Sequence, residues 1–377
     1  MYLDNNSATP LDPRVAHHLA ASWDQLYANP SSVLHPLGKL AHAAVEGARD
    51  RLLTLCSAAG QYQLVFTSGA TEALNLAVQG LHAEKIIVSS VEHPGILELC
   101  RFMQRTHGTR LRMLPVDPGG RIELAALSRE LREASALVIC QWANSETGVI
   151  QDVTEIAKLT RAHDSYFLCD ASQSAAWIPI EMSAGSHPDI LVFASHKIYG
   201  PAGVGALVYD SRTMPGSLRP MMIGGGHEYG LRPGSQPAAL ISAFCHAYEN
   251  CVAEQAATVR RVSAMRDQFE SEIARCGPEV VINSSDVPRV PNTSMISLAR
   301  LRAEDLITAI PDIAVSTGSA CTTGQVRASH VLTAMGVPGR LAENSLRISF
   351  GKFNKDNDGR IAGETFARFI GDATAHT

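Results

Sequence analysis

The sequence predicts an α/β protein, with a mostly parallel central sheet flanked by helices and a second, smaller α+β lobe. Short apolar runs alternate with helical patterns over the first two thirds of the chain, the runs are bounded by Gly, Ser, Asn or Asp, and the rhythm changes after the Gly-rich stretch at 224–226. In order the runs are QLVFTSG (63–69), KIIVSS (85–90), ALVICQW (136–142), YFLCD (166–170), DILVFAS (189–195) and GVGALVYD (203–210). Continuous branched and aromatic side chains fit strands buried on both faces, and helical crossovers make such strands parallel. Thr71–Leu81 and Val153–His163 carry the helical pattern between them. A helical region over 237–275 then leads into strands near 293–298, 312–316 and 345–350, which places a lobe boundary near residue 255.

Composition narrows the function. The 377 residues, 45% hydrophobic and 18% charged, suffice for two lobes around a large core. The net charge of −5, from 32 basic and 37 acidic side chains, contains no long run of either sign, so neither a nucleic-acid nor a membrane partner is expected. No window approaches the roughly 18 apolar residues of a membrane span. The opening MYLDNNSATPLDP reads as neither a secretory signal nor a transit peptide. Eight cysteines, at 56, 100, 140, 169, 245, 251, 276 and 321, form no CxxC pair, which points to a reducing cytoplasm, buried thiols and no metal site.

Ligands of an open α/β sheet sit beyond the carboxyl ends of its strands, so the residues after each run carry the chemistry. SGATE (68–72) leads straight into a helix, where free N–H groups and the Thr71 hydroxyl can cradle a phosphate or serve as an ordinary cap. VEHPG (91–95) puts His93 on a turn; ANSETG (143–148), CDASQS (169–174) and ASHKIYGPAGVG (194–205) follow. Asp170 ends one strand and Lys197 closely follows the next. A lysine amine forms a Schiff base with an aldehyde cofactor, and a carboxylate keeps a pyridine nitrogen protonated. With a phosphate cradle upstream, these groups meet the needs of pyridoxal 5′-phosphate; the alternative is a plain Asp–Lys ion pair.

The ordered run YLDNNSATPLDPR, NPSS (29–32), TSGATE, EHPG, NSETG, DASQS, HKIYGP, GGGHE (224–228), RPGS (232–235), TGSAC (317–321) and LRISFG (346–351) resembles the class-V aminotransferases among the fold type I pyridoxal phosphate enzymes. It is most similar to cysteine desulfurases of the iron-sulfur and nitrogen-fixation type, over nearly the whole chain. The resemblance implies a large cofactor-binding domain over 12–255 and a small domain, built from 1–11 and 256–377, that carries a catalytic cysteine loop. It implies a cytoplasmic homodimer that takes sulfur from L-cysteine, leaves L-alanine, and passes a Cys321 persulfide to a sulfur-acceptor protein whose identity stays open. Lys197 would carry pyridoxal phosphate, Asp170 pair with the pyridine nitrogen, His93 stack on the ring and act in catalysis, and Gln173 approach the phenolic oxygen. Ala70, Thr71 and His196 would hold the phosphate, helped by Ser235 from the partner subunit; Arg347, with Asn29 nearby, would grip the substrate carboxylate.

Three positions depart from the family pattern. Ser145 stands in place of an asparagine beside the phenolic oxygen and is preceded by Asn144; Ala194 stands in place of a phosphate-binding serine, with Ser195 next to it; Ser235 replaces a threonine. Ser145 and Ser195 are kept as expected cofactor contacts and Asn144 as a substrate contact. NKDNDGRIAGET (354–365) spaces oxygens like a calcium loop but has Thr365 where the bidentate acid belongs, so it reads as a capped turn opening the last helix. Other functions compete with this one: a selenocysteine lyase or small aminotransferase of the same fold, for which Cys321 is dispensable; a non-turnover sulfur-relay or accessory subunit; and a nicotinamide oxidoreductase, whose G-x-G-x-x-G turn after an early strand this sequence lacks.

Overall fold

Two helices precede the first strand, α1 (Pro13–Gln25) and α2 (Pro36–Leu55). Each opens with proline, behind a side chain that accepts from the first turn: Asp12 from the Arg14 N–H, His35 from the Gly38 N–H. Then follow β1 (Tyr62–Thr67), α3 (Ala70–Leu81), β2 (Lys85–Ser89), α4 (Pro94–His107), β3 (Arg110–Leu114), α5 (Leu124–Glu133), β4 (Leu137–Gln141), α6 (Val153–Arg161), β5 (Tyr166–Asp170), β6 (Ile190–Ala194) and β7 (Gly205–Asp210). The rest is α7 (Ala238–Ile273), β8 (Val280–Asn283), β9 (Thr293–Leu298), α8 (Ala303–Ala309), β10 (Ser316–Thr317), α9 (His330–Ala334), α10 (Gly339–Glu343), β11 (Ser345–Ser349) and α11 (Asp358–Ala375). This computed structural model describes residues 1–182, 187–214, 216, 218–317 and 328–375.

The first sheet has the order β1-β7-β6-β5-β4-β2-β3. β3, β2, β4, β5 and β6 run parallel, and β7 runs antiparallel to both of its neighbours. Alternate residues feed two cores. Ile87, Val138, Phe167, Leu191 and Ala206 face one, while Ile86, Leu137, Leu168, Ile190 and Leu207 face the other. Burial on both faces is why these strands read as unbroken apolar runs. β3 escaped that reading because it is the edge strand, and Arg110 and Arg112 on it are exposed, as an edge that must not pair further requires.

The second sheet is antiparallel, in the order β10-β11-β9-β8. Its residues Ile296, Leu346 and Ile348 belong to the same buried cluster as Phe269 of α7 and Phe366 of α11. Residue 255 falls inside α7, a continuous helix of 36 residues. The strand expected over 312–316 is shorter and later than its apolar pattern suggests, since only Ser316–Thr317 pair with β11. The 354–365 stretch is a capped turn: the Asp358 carboxylate accepts from the Lys355 N–H at 3.0 Å and from Asn354 Nδ2 at 3.0 Å, where α11 begins. Among the described residues no helix is long and apolar enough to cross a membrane, and no cluster of three metal-ligating side chains occurs.

A buried ion pair pins the strap between β7 and α7. Arg49 of α2 donates to Glu228 at 2.8 and 3.0 Å, and Glu228 also accepts from the Phe66 N–H of β1 at 2.9 Å and from Gln236 Nε2. The side chains are 4% and 1% exposed, and Arg49 lies between the Phe66 and Tyr229 rings. Glu228 and Tyr229 both hold positive φ, 50° and 57°, a strained conformation for non-glycine residues that these bonds must maintain. Removing one partner leaves a buried charge uncompensated, so Arg49→Ala should lower unfolding free energy by about 3–5 kcal/mol in urea denaturation. A loss below about 1 kcal/mol, the range of surface pairs, would contradict that account.

Candidate active site

A cavity of about 400 Å³ opens at the carboxyl ends of β4, β5 and β6 and is closed on one side by the start of α3. Each wall follows from local sequence. No side chain caps α3, so the N–H groups of its first turn face the cavity beside Ala70 and Thr71. That turn can lie against β7 because residue 205 is glycine: a Cβ there would stand 2.8 Å from the Gly69 Cα. His93 caps α4, its Nδ1 accepting from the Gly95 N–H at 3.1 Å. Asp170 ends β5 with Oδ1 accepting from the Ser172 N–H at 2.9 Å. His196 and Lys197 occupy the single 3-10 turn that follows β6.

Eight expected residues line this cavity: Ala70, Thr71, His93, Ser145, Asp170, Gln173, His196 and Lys197. Lys197 Nζ donates to the Asn6 and Ser7 carbonyls, the latter at 2.7 Å, and Gln173 Nε2 donates to the same Asn6 carbonyl at 2.9 Å. Arg347 stands behind Ser145, donating from Nη1 to its carbonyl at 3.1 Å, while Nη2 donates to Asp4 Oδ1 at 2.7 Å and to Ser7 Oγ at 2.6 Å.

Other expectations are placed elsewhere. Ser195 does not face the cavity: it is fully buried, its Oγ has no partner, and it packs against Gly200, because Ala194 and His196 on either side take the inward positions. Asn144 is likewise spent on structure, its side chain accepting from the Glu146 and Thr147 N–H groups and donating to the Val91 carbonyl at 2.9 Å. Asn29 and Ser235 line a separate cleft of about 370 Å³ beneath Trp23 and Tyr27. Cys321 lies outside the described residues. A further cleft of about 490 Å³ holds Asp12, Arg14, Glu254, Arg261 and Lys352, whose charges are paired locally.

Sequence reasoning missed Glu72, Gln141, Ser172 and Gly203 in the cavity wall, and Glu92 and Glu146 behind it. Both hidden acids sit in quoted motifs, beside His93 and Ser145, but nothing local signals their burial. Burial pushes Glu92 up to about 8; the Gln141 N–H opposes the rise and Asp170 adds to it. Burial pushes Glu146 up to about 7, tempered by the Ser329 hydroxyl and Arg347. Burial lowers His196 to about 4, with Lys197 adding to the shift. His93 is lowered by burial first, with Lys197, His330 and Arg347 reinforcing and Asp170 opposing. Both histidines are therefore neutral at neutral pH, and Nδ1 of His93, an acceptor, leaves its proton on Nε2.

The match to protein families settles the lineage. The aminotransferase class-V model matches residues 1–359. The chain belongs to the class-V aminotransferase family. Among its curated relatives, cysteine desulfurase IscS of Pectobacterium atrosepticum is 38% identical over 366 residues, covering 95% of this chain and 89% of that one. A NifS-like protein from Rickettsia africae superposes with a TM-score of 0.88 at 30% identity, covering 99% of each chain. DndA from Streptomyces lividans gives a TM-score of 0.76 at 32% identity, over 93% of this chain and 99% of that one. With TM-scores of 0.88 and 0.76 over nearly the whole chain, these structures have the same overall fold as this one.

Glu92 gives the site a pH signature. Its folded pKa, about 8, lies above the ordinary 4.5, so its stabilising contribution is complete below about pH 4.5 and is lost as pH rises through about 8. Glu92→Gln keeps the acceptor for the Gln141 N–H and cannot ionise. Urea unfolding at pH 6 and pH 8.5 should show a smaller stability drop in this variant than in the parent; equal drops would show that Glu92 does not titrate in this range.

Proposed function

We propose that this chain is a pyridoxal-phosphate-dependent cysteine desulfurase: L-cysteine and the Cys321 thiol give L-alanine and a Cys321 persulfide. The observation that carries the site assignment is that Asp170, at the end of β5, and Lys197, in the turn after the adjacent β6, face one cavity whose far wall is an uncapped helix start. The residues present fit the cofactor. Anionic phosphate matches the α3 N–H groups and the Thr71 hydroxyl, and the close approach of Gly205 to Gly69 keeps that turn in place.

Pyridoxal phosphate supplies an aldehyde that condenses with amines and a pyridinium ring that withdraws electrons from the attached carbon. Lys197 supplies the amine. Asp170, fixed by the Ser172 N–H, offers a carboxylate to a ring nitrogen and holds its proton. Neutral His93 holds a proton at Nε2 on the cavity wall, the atom able to exchange it with substrate. Arg347 sets a guanidinium behind Ser145 for a substrate carboxylate, close to its counter-ion Asp4. Cys321 is the nucleophile that takes the sulfur, consistent with its setting among small residues and glycines, Gly318, Ser319, Ala320 and Gly324. Residues 12–255 form the cofactor-holding part; residues 1–11 with 256–377 carry Arg347 and Cys321.

The working unit is a homodimer in the cytoplasm. Trp23, Tyr27, Leu34 and Ile223 are 59%, 71%, 96% and 92% exposed, and a 3.0 Å contact between Ser31 Oγ and His227 Nε2 joins the two segments that carry them. An apolar surface of this kind favours a second copy of the chain. That copy would bring Ser235, which lines the neighbouring cleft, to the partner's phosphate.

Two variants test the reading. Lys197→Ala should retain no cofactor after borohydride reduction, as judged by intact mass. Cys321→Ala should keep its bound cofactor but lose sulfide release from L-cysteine by about a hundredfold or more, the scale of a lost nucleophile. Unchanged sulfide and persulfide from Cys321→Ala would favour a lyase that dispenses with that thiol.

A further inference from the structure

We propose that Glu72 and Arg232 form a charge-balanced positioning pair that sets how strongly the α3 cradle retains a phosphate. The inference rests on the pyridoxal phosphate reading and names residues which that reading leaves without a role. Glu72, in the first turn of α3, lines the cavity next to Thr71. Its carboxylate folds back over the helix start: Oε2 accepts from the Ser68 N–H at 2.6 Å, and Oε1 accepts from Arg232 Nε at 2.8 Å. Ser68 N–H is therefore taken, while the first-turn N–H groups of α3 have no side-chain cap.

A helix start attracts any anion, and here two would share one turn. An unbalanced Glu72 carboxylate would repel a dianionic phosphate held at the same helix turn. Arg232 removes that repulsion. The two side chains are 14% and 21% exposed, so solvent screens them only partly. Glu72 stays ionised: burial tends to raise its pKa, but the bonds from Arg232 and Ser68 outweigh that and hold it below the usual value. Arg232 does not itself line the cavity, so it acts through Glu72 rather than as a phosphate ligand. Its position is fixed because it belongs to the strap that Glu228 ties to Arg49.

The test compares apo-protein titrated with pyridoxal 5′-phosphate and with pyridoxal, which lacks the phosphate, followed by absorbance. Arg232→Gln should weaken retention of the phosphorylated aldehyde about tenfold and leave pyridoxal within about twofold, as expected of one uncompensated charge. Glu72→Gln keeps an acceptor for Ser68 and should not weaken either. The double variant should return to within about threefold of the parent, and Arg232→Lys should stay equally close because it keeps the charge. The pair is refuted if the double variant is as weak as Arg232→Gln, if pyridoxal is weakened equally, or if Glu72→Gln alone loses affinity. If Arg232→Gln does not fold, Glu72→Gln and Arg232→Lys still decide. A parent protein that takes up neither aldehyde overturns the cofactor reading itself, an outcome distinct from failure of the pair.

Discussion

Hydrogen bonds to one short segment, residues 4–9, which turns over residues 5–7, hold the site together. Lys197 Nζ and the Gln173 amide both donate to the Asn6 carbonyl, and the Arg347 guanidinium ends on Asp4 and Ser7. Asn6 Nδ2 donates to Thr293 of the second sheet at 2.9 Å and to the Ser145 carbonyl at 3.1 Å, while the Thr9 N–H donates to the His196 carbonyl at 3.0 Å. Bridges from Tyr2 to Ala314 and from Asp4 to Ser349 lay the segment alongside the second sheet. A lysine, an arginine and an amide drawn from distant parts of the chain are thus positioned by six consecutive residues. The first sheet could form without that segment, but its polar ends would lack their acceptors.

Sheet topology does the remaining placement. Parallel neighbours bring Gln141, Asp170 and the turn after Ala194 to one edge, and β7, entering antiparallel between β1 and β6, brings Gly205 against Gly69. The edge is polar because strands end there in side chains that need partners. Burial of Glu92 and Glu146 behind the polar wall adds two acids that share protons with solvent only near neutral pH.

What was legible in the sequence follows this division. Strands covered on both faces announce themselves as apolar runs, and the residues closing them, Asp170 and Lys197 among them, were found by reading strand ends. β3 was hidden because an edge strand carries arginines, and β10 because two paired residues make no pattern. The placement of Ser195 was not legible either: inward and outward positions alternate in a turn where one residue of offset decides, and Ala194 took the inward one. Pairings such as Asn6 with Lys197, or Glu72 with Arg232, span 191 and 160 positions and leave no local trace. All four residues stand within quoted motifs; only their pairing is invisible.

The cysteines acquire a different meaning in an enzyme that handles reactive sulfur. Six of the seven described ones are buried and Cys276 is half-buried. Burial pushes Cys56, Cys100, Cys245 and Cys251 up to about 12, with Cys140 and Cys169 raised well above the ordinary thiol and Cys276 raised too. A persulfide exchanges its outer atom with thiolates, and protonated, enclosed thiols offer it almost none. The hydrophobic core thus doubles as chemical insulation. Among the described cysteines, reactive sulfur therefore meets few competing thiolates.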